Sequence, residues 1–114
     1  MARYSEFVSY VLELLEPMGG VIAKRMFGGY GIFRDGLMFG LVADNMLYFK
    51  VDDQNRKDYE DQGLEPFSYD RKGKQMTMSY YRAPEEALED GETMIIWAEK
   101  SFSAALVFAS NKKK

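Results

Sequence analysis

The sequence contains no histidine and no cysteine among its 114 residues, and these absences exclude much of the chemistry that proteins perform. Histidine is the usual proton shuttle near neutral pH and the commonest metal ligand, while cysteine is the strongest side-chain nucleophile. Zinc sites of the common kinds therefore cannot form. Carboxylate, lysine, tyrosine or serine chemistry remains, but no acid–base pair stands out. The sequence thus predicts a protein that is not an enzyme and uses no cofactor or metal.

Long apolar runs are also lacking, since runs such as Ala104 to Ala109 are far too short to span a bilayer. The N-terminus shows no secretory signal, and without cysteine no disulfide framework argues for secretion. Hydrophobic residues make up 46% of the sequence and charged residues 29%, a balance typical of a folded domain. We expect a cytoplasmic protein without membrane contact, with one domain over residues 1–111 and a lysine tail over residues 112–114.

The net charge of −3 is unevenly distributed. Because the three lysines at the end of the sequence contribute +3, the rest of the chain is more acidic than the net charge suggests. A nucleic-acid-binding protein normally presents a basic face. This balance therefore makes direct nucleic-acid binding the less favoured interpretation, although a local basic patch is compatible with it.

The first half of the chain predicts one helix followed by three or four antiparallel strands. Ser5 is the expected N-cap of the helix and Pro17 its stop. Asp35-Gly36 and Asp44-Asn45 predict tight hairpin turns, because a type I′ turn needs a positive φ at both central positions. Side chains on two of these strands are expected to alternate between the faces of the sheet. Leu37, Phe39 and Leu41 should share one face of the first strand, and Leu47, Phe49 and Val51 should share one face of the next.

The second half predicts a polar helix, two further strands and a longer helix. The polar helix, residues 53–62, has Tyr59 as its only large apolar side chain, so it is expected to lie on the surface and add little core. Strands are expected at residues 66–69 and 75–82. The last helix should bury a stripe formed by Ile95, Ala98, Phe102, Ala105, Leu106 and Ala109.

The order α-β-β-β(-β)-α-β-β-α predicts an α+β fold. Helices that interrupt an antiparallel sheet normally cover one of its faces. We therefore expect a two-layer sandwich.

Candidate binding residues come from three features. The segment Arg25 to Phe33 interleaves glycines with aromatic residues and could present backbone amides to a ligand, or simply form a turn or bulge between strands. Aromatic and cationic residues alternate on several strands, and the last helix has a second apolar edge beside its core stripe. The basic loop 71–74 is typical of a solubilising turn. The candidates are Arg25, Phe27, Gly28, Gly29, Tyr30, Lys50, Tyr81, Arg82 and Trp97.

Many segments together resemble the N-terminal domain of the TfoX/Sxy competence regulators. The resemblance implies a fold like that of the type III secretion chaperones and a bacterial, cytoplasmic protein linked to natural transformation. Better-known members assist the cAMP receptor protein at competence promoters and carry a second, helical domain, whereas this chain is expected to stand alone. The similar segments are Arg25 to Phe33, Asp35-Gly36, Leu41 to Asn45, Leu47 to Asp52, Pro66 to Tyr69, Met78 to Arg82 and Pro84 to Leu88.

These features predict a non-catalytic regulatory domain that binds a protein partner, such as the transcription machinery or a regulator like the cAMP receptor protein. A homodimer is a further expectation. Two alternatives remain open at this point: nucleic-acid binding through the basic and aromatic strand faces, and binding of a small ligand at the glycine-rich segment.

Overall fold

The helices and strands follow the predicted order in the computed structural model, which describes residues 5–26 and 28–112. The helices are α1 (Glu6–Leu15), α2 (Arg56–Glu60), α3 (Glu85–Glu89) and α4 (Gly91–Lys112), with a 3₁₀ turn at Glu16–Met18. The strands are β1 (Val21–Met26), β2 (Gly29–Arg34), β3 (Leu37–Ala43), β4 (Met46–Lys50), β5 (Pro66–Arg71) and β6 (Lys74–Arg82).

The six strands form one antiparallel sheet in the order β1-β2-β3-β4-β6-β5. Both predicted hairpin turns are confirmed, because Asp35, Gly36, Asp44 and Asn45 all have a positive φ. Side chains from one face of the sheet and from the helices share a single buried core. The predicted α+β fold with two layers is therefore confirmed.

Helix α1 begins as the sequence predicts. The side chain of Ser5 accepts a hydrogen bond from the amide of Val8 at 3.1 Å, which satisfies one of the unpaired amides at the helix start. Val8, Val11 and Leu15 are fully buried in the core. This helix therefore covers the β1 side of the sheet with its apolar stripe.

A β-bulge in β3 changes the predicted alternation. Ile32 pairs with Gly40 and Phe33 with Met38, which leaves Phe39 as an extra residue. Phe39 lies in the core, 5.7 Å from the ring of Phe102, whereas Leu41 lies on the opposite face of the sheet. The prediction that Leu37, Phe39 and Leu41 share one face is therefore wrong for Leu41, because the extra residue shifts the period of two.

Helix α2 is shorter than predicted, and the prediction that it adds little core is wrong. Tyr59 is fully buried. Its ring lies 4.8 Å from that of Trp97 and 5.8 Å from that of Tyr81, and its hydroxyl lies 3.3 Å from the hydroxyl of Ser101. A single aromatic residue thus fixes this short helix between the sheet and α4.

Helix α4 buries Ala98, Phe102 and Ala105 as predicted, but Leu106 is 48% exposed and was placed wrongly in the core stripe. Phe108, two residues further along the helix, is 53% exposed. None of the helices within the described part of the chain is both long enough and apolar enough to cross a membrane.

Gly29 illustrates how closely β2 and β3 approach each other. A Cβ atom at this position would overlap the backbone carbonyl oxygen of Val42, which cannot rotate away. We expect Gly29→Ala to lower the free energy of unfolding by about 1–3 kcal/mol, as overpacking does. Urea denaturation measures this loss. Gly91→Ala is the matched control, because a Cβ atom there meets nothing within 4 Å, and its stability should be unchanged or slightly raised.

Candidate functional site: the open face of the sheet

The two faces of the sheet differ in what covers them. Cross-strand partners project to the same face, so the row Ala23, Ile32, Gly40, Phe49 and Tyr81 identifies the face that packs against the helices. The alternate row projects to the other side, which we call the open face, and consists of Lys24, Gly31, Leu41, Tyr48 and Arg82.

The open face is largely apolar. Leu41 and Tyr80 are buried within it, and the sulfur atoms of Met26 and Met38 lie above Gly31, where a Cβ atom would meet them at 2.6 and 3.1 Å. Methionine adapts to irregular partners, so such a face suits a binding surface. The most exposed apolar residues on this side are Ile22 (49%), Met46 (36%), Tyr69 (40%), Met76 (40%) and Met78 (36%).

Three aromatic rings form a continuous track on the open face. The ring centroids of Tyr48 and Phe67 are 5.0 Å apart, and those of Phe67 and Tyr69 are 6.2 Å apart. Tyr48 and Phe67 are half-buried, and Tyr69 is exposed. We call these three residues the aromatic track. It leads from the centre of the sheet onto β5.

The hairpin of β5 and β6 extends beyond the rest of the sheet. Only three residue pairs, Tyr48 with Arg82, Phe49 with Tyr81 and Lys50 with Tyr80, join β6 to β4. The first part of β6 pairs with β5 alone, so it forms a two-stranded ribbon with both faces accessible. One face of the ribbon continues the open face, with Tyr69 paired to Met76 and Arg71 paired to Lys74. The other face is polar.

The charges on the open face are all positive. Lys24, Arg71, Lys74 and Arg82 project from this side, and no strand position there that the structure describes holds an aspartate or glutamate. No ion pair within residues 5–26 and 28–112 involves these four cations. The acidic residues lie mainly on the helices and the turns, so the molecule is basic on one side and acidic on the other.

Lys50, one of the predicted binding residues, is almost completely buried. Its ammonium donates a hydrogen bond to the Ser79 hydroxyl at 2.9 Å and lies 4.1 Å from the ring centroid of Phe108 and 5.2 Å from that of Tyr80. Burial lowers the pKa of Lys50 below its usual value, and the carboxylate of Asp52 partly opposes this effect. Lys50 thus lies in the open-face row beside its cross-strand partner Tyr80, with its ammonium enclosed between that ring, Ser79 and Phe108 at the end of α4.

The glycine-rich segment lies at the β1–β2 edge. Arg25, Met26, Gly28, Gly29 and Tyr30 line a shallow, open depression of about 350 Å³ there. The guanidinium of Arg25 lies 5.8 Å from the ring centroid of Tyr30. Phe27, also predicted to bind, lies outside the described residues. These positions form one neighbourhood that is separate from the aromatic track.

The remaining candidates are divided between the two layers. Arg82 lies half-buried on the open face beside Tyr48. Tyr81 and Trp97 both pack on the ring of Tyr59 in the helical layer. The structure therefore places Arg82 on the open face and Tyr81 and Trp97 inside the fold.

The sequence analysis missed four residues of the open face, namely Phe67, Tyr69, Arg71 and Lys74. It treated the basic turn at 71–74 as a solubilising loop and did not connect that turn to the flanking strands. The available signal was the alternation of these strands, which places aromatic, methionine and basic residues on one face.

The described residues contain no cluster of carboxylates that could hold a metal ion. No three carboxylates there converge on one point, as a hard cation would require. The accessible groups of the open face are aromatic rings, thioethers and cations. The fold and this face define a two-layer α+β domain with one apolar and basic sheet face.

Comparison with known protein families identifies this domain. The TfoX N-terminal domain model matches residues 13–105, so the chain belongs to that family. Protein Sxy of Escherichia coli is 26% identical over 94 residues, which cover 82% of this chain and 45% of that protein. DNA transformation protein TfoX1 of Aliivibrio fischeri is 31% identical over 73 residues, covering 64% of this chain and 35% of that protein. The matched segments thus span less than half the length of these relatives.

Proposed function

We propose that this chain is a non-catalytic regulatory domain that takes part in the control of competence for DNA uptake. One relative, DNA transformation protein TfoX1, is named for that process, and this chain belongs to the TfoX N-terminal domain family. The observation that carries the binding role is the open face, which exposes methionine and aromatic side chains and only positive charge. The domain acts in the cytoplasm by binding a partner on its open face.

The four cations and the exposed methionines set the chemistry of the partner. A surface with charge of one sign selects partners of the opposite sign and accelerates their approach. A partner whose surface is negatively charged meets this requirement. A second copy of the chain does not, because two open faces would place like charges opposite each other.

Charge reversal on the open face tests this role. In the host, deletion of the gene should lower the transformation frequency and the transcripts of the DNA-uptake genes, and the wild-type gene should restore both. The deletion strain that carries the double variant Lys24→Glu with Arg82→Glu should have a transformation frequency at least about tenfold below that of the strain with the wild-type gene. The reason is that like charges across an interface cost several kcal/mol.

The matched control carries the same change in net charge on the helical side. Lys57→Glu with Lys100→Glu alters side chains that are 84% and 54% exposed and should restore transformation fully. A deletion without effect on transformation would refute the competence role. Equal behaviour of the two double variants would refute the role of the open face.

A further inference from the structure

We infer that the open face binds a single-stranded nucleic acid, with bases stacked on the aromatic track and the backbone phosphates held by the surrounding cations. This inference rests on the proposed function only in taking the open face as the binding surface. It specifies which class of molecule binds that surface. The net charge alone made nucleic-acid binding the less favoured interpretation, and this inference reverses that order.

The aromatic track supplies the stacking surface. Tyr48, Phe67 and Tyr69 follow one another at 5.0 and 6.2 Å between ring centroids, on the face of the sheet opposite the helical core. Helix α4 reaches this side at Phe108, whose ring lies 4.1 Å from the ammonium of Lys50. Unpaired bases stack on aromatic side chains of open sheets, two or three at a time. Every base has a flat face, so such a track holds a strand without requiring one sequence.

The cations lie at the two ends of the track. Arg82 is the cross-strand partner of Tyr48 at the sheet end, and Arg71 and Lys74 form the last pair of the ribbon, next to the pair of Tyr69 and Met76. A strand lying along the track would thus meet positive charge on both sides of the stacked bases. Phosphates attract such groups without regard to sequence.

The sign of the charges separates a nucleic acid from a protein as occupant. A protein partner would match this face only where its own surface is locally acidic, whereas a nucleic acid carries negative charge along its whole length. The described positions of the open face contain no carboxylate. A nucleic acid is uniformly negative and also offers flat apolar groups, and it therefore matches both properties of this face.

The acidic net charge does not oppose this binding. The carboxylates lie chiefly on the helical side, for example Glu85 and Glu86 on α3 and Asp58 on α2. They repel a phosphate backbone from that side only. Net charge summed over the chain therefore hides a basic face of the kind that nucleic-acid binding requires.

Fluorescence anisotropy with labelled oligonucleotides of about 16 nucleotides tests the inference. We expect DNA or RNA single strands to bind more tightly than a duplex of the same length. With three to four phosphates neutralised, the affinity should fall about 20- to 50-fold between 50 and 200 mM salt. The DNA and RNA arms identify which strand is preferred.

Two aromatic variants separate stacking from simple charge attraction. Tyr69→Ala should weaken binding about 5- to 100-fold, and Tyr69→Leu, which keeps an apolar side chain without a ring, should weaken it similarly. Tyr10→Ala is the control, because Tyr10 is 41% exposed on α1 and Tyr69 is 40% exposed. Arg71→Ala with Lys74→Ala should weaken binding and flatten the salt dependence, whereas Lys57→Ala with Lys100→Ala should do neither.

Four outcomes would overturn the inference. They are no binding at low salt, binding of the duplex as tight as that of single strands, equal affinity of Tyr69→Leu and the wild type, and capture of an acidic protein segment in place of the oligonucleotide. In each case, a competence defect of the Lys24→Glu and Arg82→Glu variant would leave the proposed function standing, so the two failures are distinguishable.

Discussion

Tyr59→Ala is expected to lower the free energy of unfolding by about 3–5 kcal/mol, the range for removing a buried aromatic side chain. Tyr59 is fully buried and contacts Trp97, Tyr81 and Ser101, which come from α4 and β6. The variant leaves a cavity between three elements that other contacts do not close. Since domains are stable by only about 5–15 kcal/mol, a large part of the total stability depends on this side chain.

Urea denaturation followed by far-ultraviolet circular dichroism measures this effect. Tyr59→Phe keeps the ring and removes only the hydroxyl, so it should cost about 1 kcal/mol. The second control, Tyr10→Ala, truncates a tyrosine that is 41% exposed and loses only the hydrogen bond from its hydroxyl to the carbonyl of Leu88, so it should cost about 1 kcal/mol. A loss below about 1 kcal/mol for Tyr59→Ala would show that α2 is not held by its tyrosine.

Alkaline pH is expected to destabilise the domain steeply above pH 10. Burial raises the pKa of Tyr80 to about 12, and burial likewise raises the pKa of Tyr59 above its usual value. In the unfolded chain both phenols ionise near pH 10. Folding therefore holds two protons that the unfolded chain releases, and stability falls as pH rises from 10 toward the folded pKa values.

The expected loss is large. For Tyr80, two pH units at about 1.4 kcal/mol per unit give about 2.7 kcal/mol by pH 12, and Tyr59 adds to it. Lys50 acts in the opposite sense, because its lowered pKa makes stability rise with pH until the unfolded lysine also loses its proton at about pH 10.5. Above that pH only the tyrosine effect remains.

Denaturation curves at intervals between pH 8 and 12 measure the loss. The double variant Tyr59→Phe with Tyr80→Phe should be less stable at pH 8 but should lose much less stability by pH 12 than the wild type. Tyrosinate absorbance of the wild type should show late ionisation that coincides with unfolding. Parallel pH profiles for the variant and the wild type would contradict the assignment of these two phenols.

The parts of the fold that depend on neighbouring residues could be predicted from the sequence. Asp35-Gly36 and Asp44-Asn45 adopt the positive φ that their residue types favour, and Ser5 caps α1 as expected. The prediction that Leu47, Phe49 and Val51 share one face of the sheet is also confirmed, since β4 contains no bulge. Local chemistry was sufficient in these cases.

Features that depend on distant residues could not be predicted in this way. Tyr59 is buried because Trp97 and Ser101 reach it from a helix about 40 residues later in the chain. Leu41 changes face because Phe39 is an extra residue opposite β2, and pairing of strands is not visible in one strand alone. Tertiary contacts decided both outcomes.

The candidate site was predicted only in part. Arg82 lies accessible on the open face, whereas the ammonium of Lys50 is enclosed by neighbouring side chains and Tyr81 contacts Tyr59. The sequence analysis judged nucleic-acid binding from net charge, which adds the acidic helices to the basic strands. Separating the two requires knowing which side of the sheet the helices cover, and that became visible only in the folded structure.

The junction between β4 and β6 connects two parts of the sheet, the four-stranded meander and the ribbon. Three residue pairs form it, and the amides of Val51 and Ala83 extend it with hydrogen bonds to the carbonyls of Ser79 and Leu47 at 2.9 and 2.8 Å. Lys24 belongs to one part and Lys74 to the other. A long molecule lying along the whole open face would therefore contact both parts at once.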